Sequence, residues 1–147
     1  MDGITIDIKG IAETVEMLEY LKRSSITKAL RRGENKGSTP MIKEARRRMP
    51  VRSGAAKRAL TRKQKTYPNG SVITVLGEKR SAMEQYKGKT VRPAKYIAPL
   101  EKGHDGVAGR EVFKGSFDAT KSQAEQIIIS TVIEVITADA IKRGYKP

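Results

Sequence analysis

No cysteine occurs in the chain, which removes disulfides, thiolate metal sites and a cysteine nucleophile together. Tryptophan is absent too, and phenylalanine is limited to Phe113 and Phe117, so Ile, Val, Leu and Ala must fill the interior. Histidine occurs once, as His104. Long apolar runs are also missing. The richest stretch, Ile127 to Ile141, is interrupted by Ser130, Thr131, Glu134, Thr137 and Asp139, and is too short and polar to span a bilayer. The start, Met1-Asp2-Gly3-Ile4, lacks the basic and apolar regions of a signal peptide. These absences predict a soluble protein of a reducing compartment, with no membrane association and no cofactor.

Basic side chains, by contrast, are abundant: the net charge is +14. Their distribution is uneven. Residues 1–21 carry Lys9 against Asp2, Asp7, Glu13, Glu16 and Glu19. Residues 22–65 carry a long series of Lys and Arg against Glu34 and Glu44 alone. Such asymmetry points to a polyanion or an acidic protein surface as partner, although a solvated basic face arises without any ligand. The densest run is Arg46-Arg47-Arg48, followed by Arg52, Lys57, Arg58, Arg62, Lys63 and Lys65. Phosphate contacts need little beyond such charge. The aromatic residues that stack single-stranded bases are missing, Tyr67 being the one nearby ring.

With 147 residues and 37% hydrophobic content, the chain suits one domain over 1–147. A chain of this size buries about 68% of its unfolded surface, and subunit contacts would add to that. The periodicities predict an α+β fold, a small antiparallel sheet packed against a long kinked helix and a C-terminal helix. Ile4-Thr5-Ile6-Asp7-Ile8 alternates like a half-buried strand. Ile11, Val15 and Leu18 recur at helical spacing, ending near Lys22 to Ser25. Ser25 is a candidate cap for a second helix over about 25–49, with Ile26, Ala29, Leu30, Gly33, Gly37, Met41, Ala45 and Met49 on one face. Pro40 either kinks that helix or begins a new one; Pro50 closes it.

Strands are expected over Ala59–Thr66 and Val72–Glu78, joined by the turn Tyr67-Pro68-Asn69-Gly70. A polar, flexible excursion is expected at about 79–94, too long for an ordinary hairpin loop. Tyr96 to Leu100 reads as a further strand, and Glu101 to Gly115 as glycine-rich and irregular. The last helix is expected from Ser116 to about Arg143, with Ser116 or Asp118 as cap. Its Ile127, Ile128, Ile129, Val132, Ile133, Val135 and Ile136 favour strand on propensity. Length and the absence of Gly and Pro favour helix, with apolar residues almost all round it and hence burial on several sides.

Catalysis is not expected. His104 stands alone in the turn Gly103-His104-Asp105-Gly106, and a nuclease would need a carboxylate cluster beside it. Asp105, Glu101 and Glu111 match no metal-ligand spacing, and no glycine-rich segment carries the ending of a phosphate-cradling loop.

Four segments carry a resemblance. Met49-Pro50-Val51-Arg52-Ser53-Gly54-Ala55-Ala56 places Pro50, Arg52, Ser53 and Gly54 in a helix-end, turn and strand step. It resembles the "aromatic-or-apolar, Pro, x, Arg/Lys, Thr/Ser, Gly, x, Leu" signature of siphophage tail-completion, or head–tail joining, proteins. Ile4 to Leu21 resembles that family's opening strand and helix. Tyr96-Ile97-Ala98-Pro99-Leu100-Glu101-Lys102-Gly103 resembles its "Tyr-Ala … Glu-x-Gly" segment, through Tyr96, Glu101 and Gly103. Val112-Phe113-Lys114 resembles its step into the final helix, with Phe113 at the aromatic position. Ala55-Ala56 departs from the usual Leu, and Val112 from the usual Pro.

The resemblance implies a structural virion protein of a tailed bacteriophage, found at the neck of the particle and in the host cytoplasm during assembly. Its subunits would form a homo-oligomeric ring, hexameric by the same resemblance, that completes the tail and joins it to the head. Its partners would be the tail terminator and head connector proteins, with DNA passing through the lumen. Arg46, Arg47, Arg48, Arg52 and Arg58 are the candidate contacts to partner rings or nucleic acid. The alternative that charge alone suggests is a small basic nucleic-acid-binding protein.

Overall fold

The computed structural model describes residues 15–18, 21–50 and 54–146. The strand expected at Ile4–Ile8 and the start of the first helix lie outside the described residues. Residues 15–18 are helical and 21–22 are not, so the chain breaks where Lys22 to Ser25 was expected to end the first helix. Met17 packs on the last helix, its sulfur accepting a hydrogen bond from Thr137 Oγ1 at 3.8 Å.

Helix α1 runs Arg23–Arg48, and the final helix, α4, runs Val112–Lys142. They are the longest elements and pack together along most of their length. The reason lies in small residues at four-residue spacing. Ser25, Ala29, Gly33, Gly37 and Ala45 form the buried stripe of α1; Val112, Ser116, Thr120 and Ala124 form that of α4. Residues four apart share a helix face, so each helix offers a shallow groove to the other. The pairing is antiparallel: Arg143 reaches Ser25 Oγ at 3.3 Å, while Gly33 and Gly37 sit against Ile128 and Gly115 against Arg48. A Cβ at Gly33 would lie 2.7 Å from Val132 Cγ2. One at Gly37 would overlap the Ile128 side chain and stand 2.9 Å from the Ala124 carbonyl oxygen.

Pro40 lies inside α1, so α1 is one helix rather than two. Pro40 brings no N–H to the turn before it. The neighbouring Asn35 carbonyl accepts from Ser38 Oγ at 3.1 Å, Thr39 Oγ1 at 3.2 Å and Arg62 at 2.7 Å. The helix starts two residues before the expected cap. Lys22 is its N-cap and makes no side-chain cap bond, whereas Ser25 is buried against α4.

A short helix α2 (Ala55–Ala59) leads into the hairpin of β1 (Leu60–Thr66) and β2 (Val72–Glu78). The register runs from Leu60 opposite Glu78 to Thr66 opposite Val72. One face lies on α1. Gln64 donates to the Arg31 carbonyl at 2.7 Å and Thr74 to the Glu34 carboxylate at 2.6 Å. Ile73 and Val75 point the other way and are exposed, as strand alternation requires.

The segment expected as an irregular excursion carries a second hairpin, β3 (Glu84–Tyr86) with β4 (Lys89–Val91). Lys87 and Gly88 both have positive φ, the conformation a two-residue hairpin turn needs. Tyr96 to Leu100 is not a strand: it lies in helix α3 (Ala94–Lys102). Pro93, Ile97 and Leu100 explain the correction, since they recur at helical spacing; Pro93 and Ile97 are buried, and Leu100 packs against the core.

Gly103–His104 (β5) and Val107–Ala108 (β6) form a third, minimal hairpin within the stretch expected to be irregular. Its turn, Asp105-Gly106, again has positive φ at both residues. The last helix begins at Val112, so Ser116 and Asp118 are interior positions rather than caps. Ser116 Oγ donates to the Val112 carbonyl.

The fold is therefore mixed helix and sheet, with three two-stranded antiparallel ladders among the described residues beside the long helix pair. Its apolar core sits at one end, where Ala45, Met49, Leu60, Ile97 and Val112 are buried and Ile42, Ala56, Leu100 and Phe113 pack around them.

Candidate functional site

The expected motif residues converge on that core end. Helix α1 ends at Arg48 with Met49 as its C-cap, and Pro50 follows directly. Gly54 has φ +75°, a left-handed conformation that costs glycine little, and its carbonyl accepts the Arg58 N–H at 3.0 Å. Arg52 and Ser53 lie outside the described residues. Glu101 has a definite task. Its carboxylate accepts the backbone N–H groups of Phe113 at 2.8 Å and Lys114 at 3.0 Å. It thus satisfies orphan donors at the α4 N-terminus from another helix, where the helix dipole also favours negative charge.

Gly103 (φ +85°) allows the chain to cross itself: a Cβ there would overlap the Val107 carbonyl, and one at Gly109 would overlap the Glu101 carbonyl. Phe113, half-buried, packs against the core. Glu101, Gly103 and Phe113 thus form one knot of backbone that fixes how α3 delivers α4. Gly109 belongs to this knot and was not singled out from the sequence.

Pro50, Gly54 and Tyr96 line one groove of about 570 Å³, with Tyr86, Pro93 and Leu100. Tyr96 is 54% exposed there, so it presents its ring to solvent instead of filling the core. His104, on the same rim, is exposed and stands 3.4 Å from the Asp105 carboxylate through Nδ1. No group of His, Asp or Glu able to hold a metal occurs among the described residues.

The described candidate contact arginines, Arg46, Arg47, Arg48 and Arg58, are held by their own chain. Arg46 donates to the Leu60 carbonyl at 3.1 Å. Arg47 and Arg48 both grip Glu44, at 2.6 and 2.8 Å. The hydrogen bonds from Arg47 and then Arg48 hold the Glu44 carboxyl far below its ordinary 4.5, at about 2. Arg58 pairs with Glu84 of β3, its Nε donating at 2.9 Å, and this bond lowers the Glu84 carboxyl too. The hairpin within 79–94 is thereby tied to α2.

A different set of cations lines a second cleft, of about 600 Å³, between the first half of α1 and the turn after β1. Arg23, Lys28, Arg31 and Arg32 stand on its helical side, and all four are exposed. The sequence carries a signal for them, a series of cations with no Asp or Glu between 22 and 33.

Apolar side chains are also exposed. Ile129 and Ile133, one turn apart on α4, are 60% and 58% exposed, and Ile141 and Phe117 are exposed further along. No helix among the described residues is long and apolar enough to cross a membrane. No family model matches the chain, and no curated protein or solved structure matches it.

Proposed function

We propose that this chain is a structural virion protein of a tailed bacteriophage, without catalytic activity, that completes the tail and joins it to the head connector by forming a ring at the neck. The observation that carries the reading is the convergence of Pro50, Gly54, Tyr96, Glu101, Gly103 and Phe113. They are scattered over sixty-odd positions of sequence, yet they build one end of the molecule around a single core.

Association is the chemistry such a surface supports. The exposed Ile129 and Ile133 of α4, and Ile73 and Val75 of the first hairpin, are apolar area that a neighbouring subunit would cover. Each Å² removed from water is worth about 25 cal/mol before the costs of association. The groove beside Tyr96 is the contact offered to tail terminator or head connector. A second reading, a small basic nucleic-acid-binding protein, is favoured by the cation-lined cleft alone.

The test is joining itself. A phage lacking this chain should accumulate filled heads and separate tails, and adding the purified protein should restore joined, infectious particles. Normal particles formed in its absence would overturn the reading.

A further inference from the structure

We infer that the cleft between the first half of α1 and the β1–β2 turn is a binding groove for the phosphodiester backbone of double-stranded nucleic acid. It is a different site from the arginine run at 46–48. It serves a neck subunit facing DNA and a free-standing binding protein alike, so it does not depend on the ring.

The charge in the cleft is uncompensated. Its lining includes Arg23, Lys28, Arg31 and Arg32 and contains no Asp or Glu. None of the ion pairs among the described residues uses Arg23, Arg31 or Arg32. The nearest carboxylates are otherwise engaged: Glu34 accepts from Thr74 at 2.6 Å, and Asp139 binds Arg143 at 2.9 Å while feeling the charge of Lys28. Cations this close repel one another, and those at the first turn oppose the helix dipole. The arrangement costs stability in the free protein, and an anion in the cleft would relieve it.

The geometry selects the kind of anion. Arg23 to Arg32 spans nine residues of straight helix, about 13.5 Å at 1.5 Å each. That length covers about four phosphates of one duplex strand at 3.4 Å apiece. The far wall is neutral and hydrogen-bonding, with Thr66 and Tyr67, and the Tyr67 ring is oriented by Lys65 Nζ at 4.8 Å. Hydroxyl donors beside guanidinium groups are the usual contacts to phosphate and sugar. The wall is also braced: Arg23 donates to the Pro68 carbonyl at 2.7 Å and Gln64 to the Arg31 carbonyl at 2.7 Å. Four exposed cations on one fixed helix, with no acid among the lining residues, suit a polymer of phosphates better than an acidic peptide, which would have to be ordered on binding.

The test is fluorescence anisotropy of a labelled random-sequence 20-bp duplex with the full chain at several salt concentrations. About four phosphate contacts predict a slope of log K against log salt near −3.6, roughly a hundredfold loss between 50 and 200 mM. The double variant Arg31→Ala/Arg32→Ala should reduce the slope by about two and weaken binding at least tenfold at 50 mM salt. Thr66→Glu, which places a carboxylate on the opposite wall, should weaken it several-fold. A charge-matched control on α4, Lys121→Ala/Lys142→Ala, should change affinity less than threefold. Equal losses in the control and the cleft variants would overturn the inference, reducing the binding to net charge. Displacement of the duplex by poly-glutamate at equal charge concentration would also overturn it, in favour of an acidic protein partner. Thermal melts establish that each variant is folded, and unchanged solution mass in the cleft variants separates this site from subunit association.

Discussion

The two halves of α1 look alike in sequence and behave differently in the fold. Arg46, Arg47 and Arg48 form the densest basic run of the chain, yet each is bound to a carbonyl or carboxylate of the same molecule. Arg31 and Arg32, half as conspicuous, face an open cleft with no carboxylate on its walls. Charge density alone does not say which cations can meet a partner. What decides it is whether an acid actually reaches them: Glu44 pairs with Arg47 and Arg48 and Glu84 with Arg58, whereas Glu34, three residues from Arg31, accepts from Thr74 instead.

Both halves of α1 belong to one continuous helix packed on α4, and the largest expected effect comes from loosening that contact. Gly37→Ala gains helix propensity but forces a Cβ into Ile128 and the Ala124 carbonyl. Overpacking of this kind costs about 1–3 kcal/mol, which should outweigh the propensity gain of about 1 kcal/mol. Urea denaturation should show a net loss of stability, and Gly37→Val a larger one. Gly88→Ala, at a hairpin turn where a Cβ meets nothing, separates packing from backbone strain. The next effect is at the other end of the helix pair. Glu101→Ala removes the carboxylate from the Phe113 and Lys114 N–H groups and should cost about 1–2 kcal/mol, as losing a capping side chain does.

A smaller effect concerns acid. Glu44 has its carboxyl lowered from 4.5 to about 2 in the folded chain. A depressed carboxylate stabilises the fold fully above its unfolded value and ceases to do so as pH falls through the folded one. Stability should therefore decline between about pH 5 and pH 2, and Glu44→Gln should flatten that part of the pH profile in thermal melts. The same variant sharpens the comparison, because it releases Arg47 and Arg48. Duplex affinity should then rise a few-fold, with the gain appearing at the second half of α1. Smallest of all is Arg47→Ala at neutral pH. Its guanidinium is 72% exposed, and an exposed pair of this kind stabilises little, so the melting temperature should stay where it is.

Much of the fold was legible because its periods are plain. Val72–Glu78 appears at its expected bounds, since apolar alternation and the preceding Asn69-Gly70 agree. The face of Ala29, Gly33, Gly37 and Ala45 was legible as one stripe, and it is the buried one. The early start of α4 was not, because its cap comes from Glu101, eleven residues upstream and on another helix. Helix α3 was not legible as a helix: it is nine residues long with Pro99 inside it, and its helical signal is the recurrence of Pro93, Ile97 and Leu100. Asp105-Gly106 is a recognised hairpin turn pair, but its flanking strands are two residues each, too short to show an alternating pattern in sequence.

At the site, Glu101 and Gly103 have structural tasks, whereas Tyr96 is exposed. The basic run at 46–48 was legible in sequence, but the Leu60 carbonyl and the Glu44 carboxylate that its guanidinium groups meet in the fold were not.

In the proposed ring, the exposed apolar area on α4 would be covered by further copies of this chain. Light scattering of the purified protein over a range of concentrations tests it directly. The account predicts assembly towards about six copies of a 16.2-kDa chain, lost in Ile129→Asp/Ile133→Asp while the helical signal persists. A wild-type protein that stays monomeric at every concentration, with and without tails present, would contradict it.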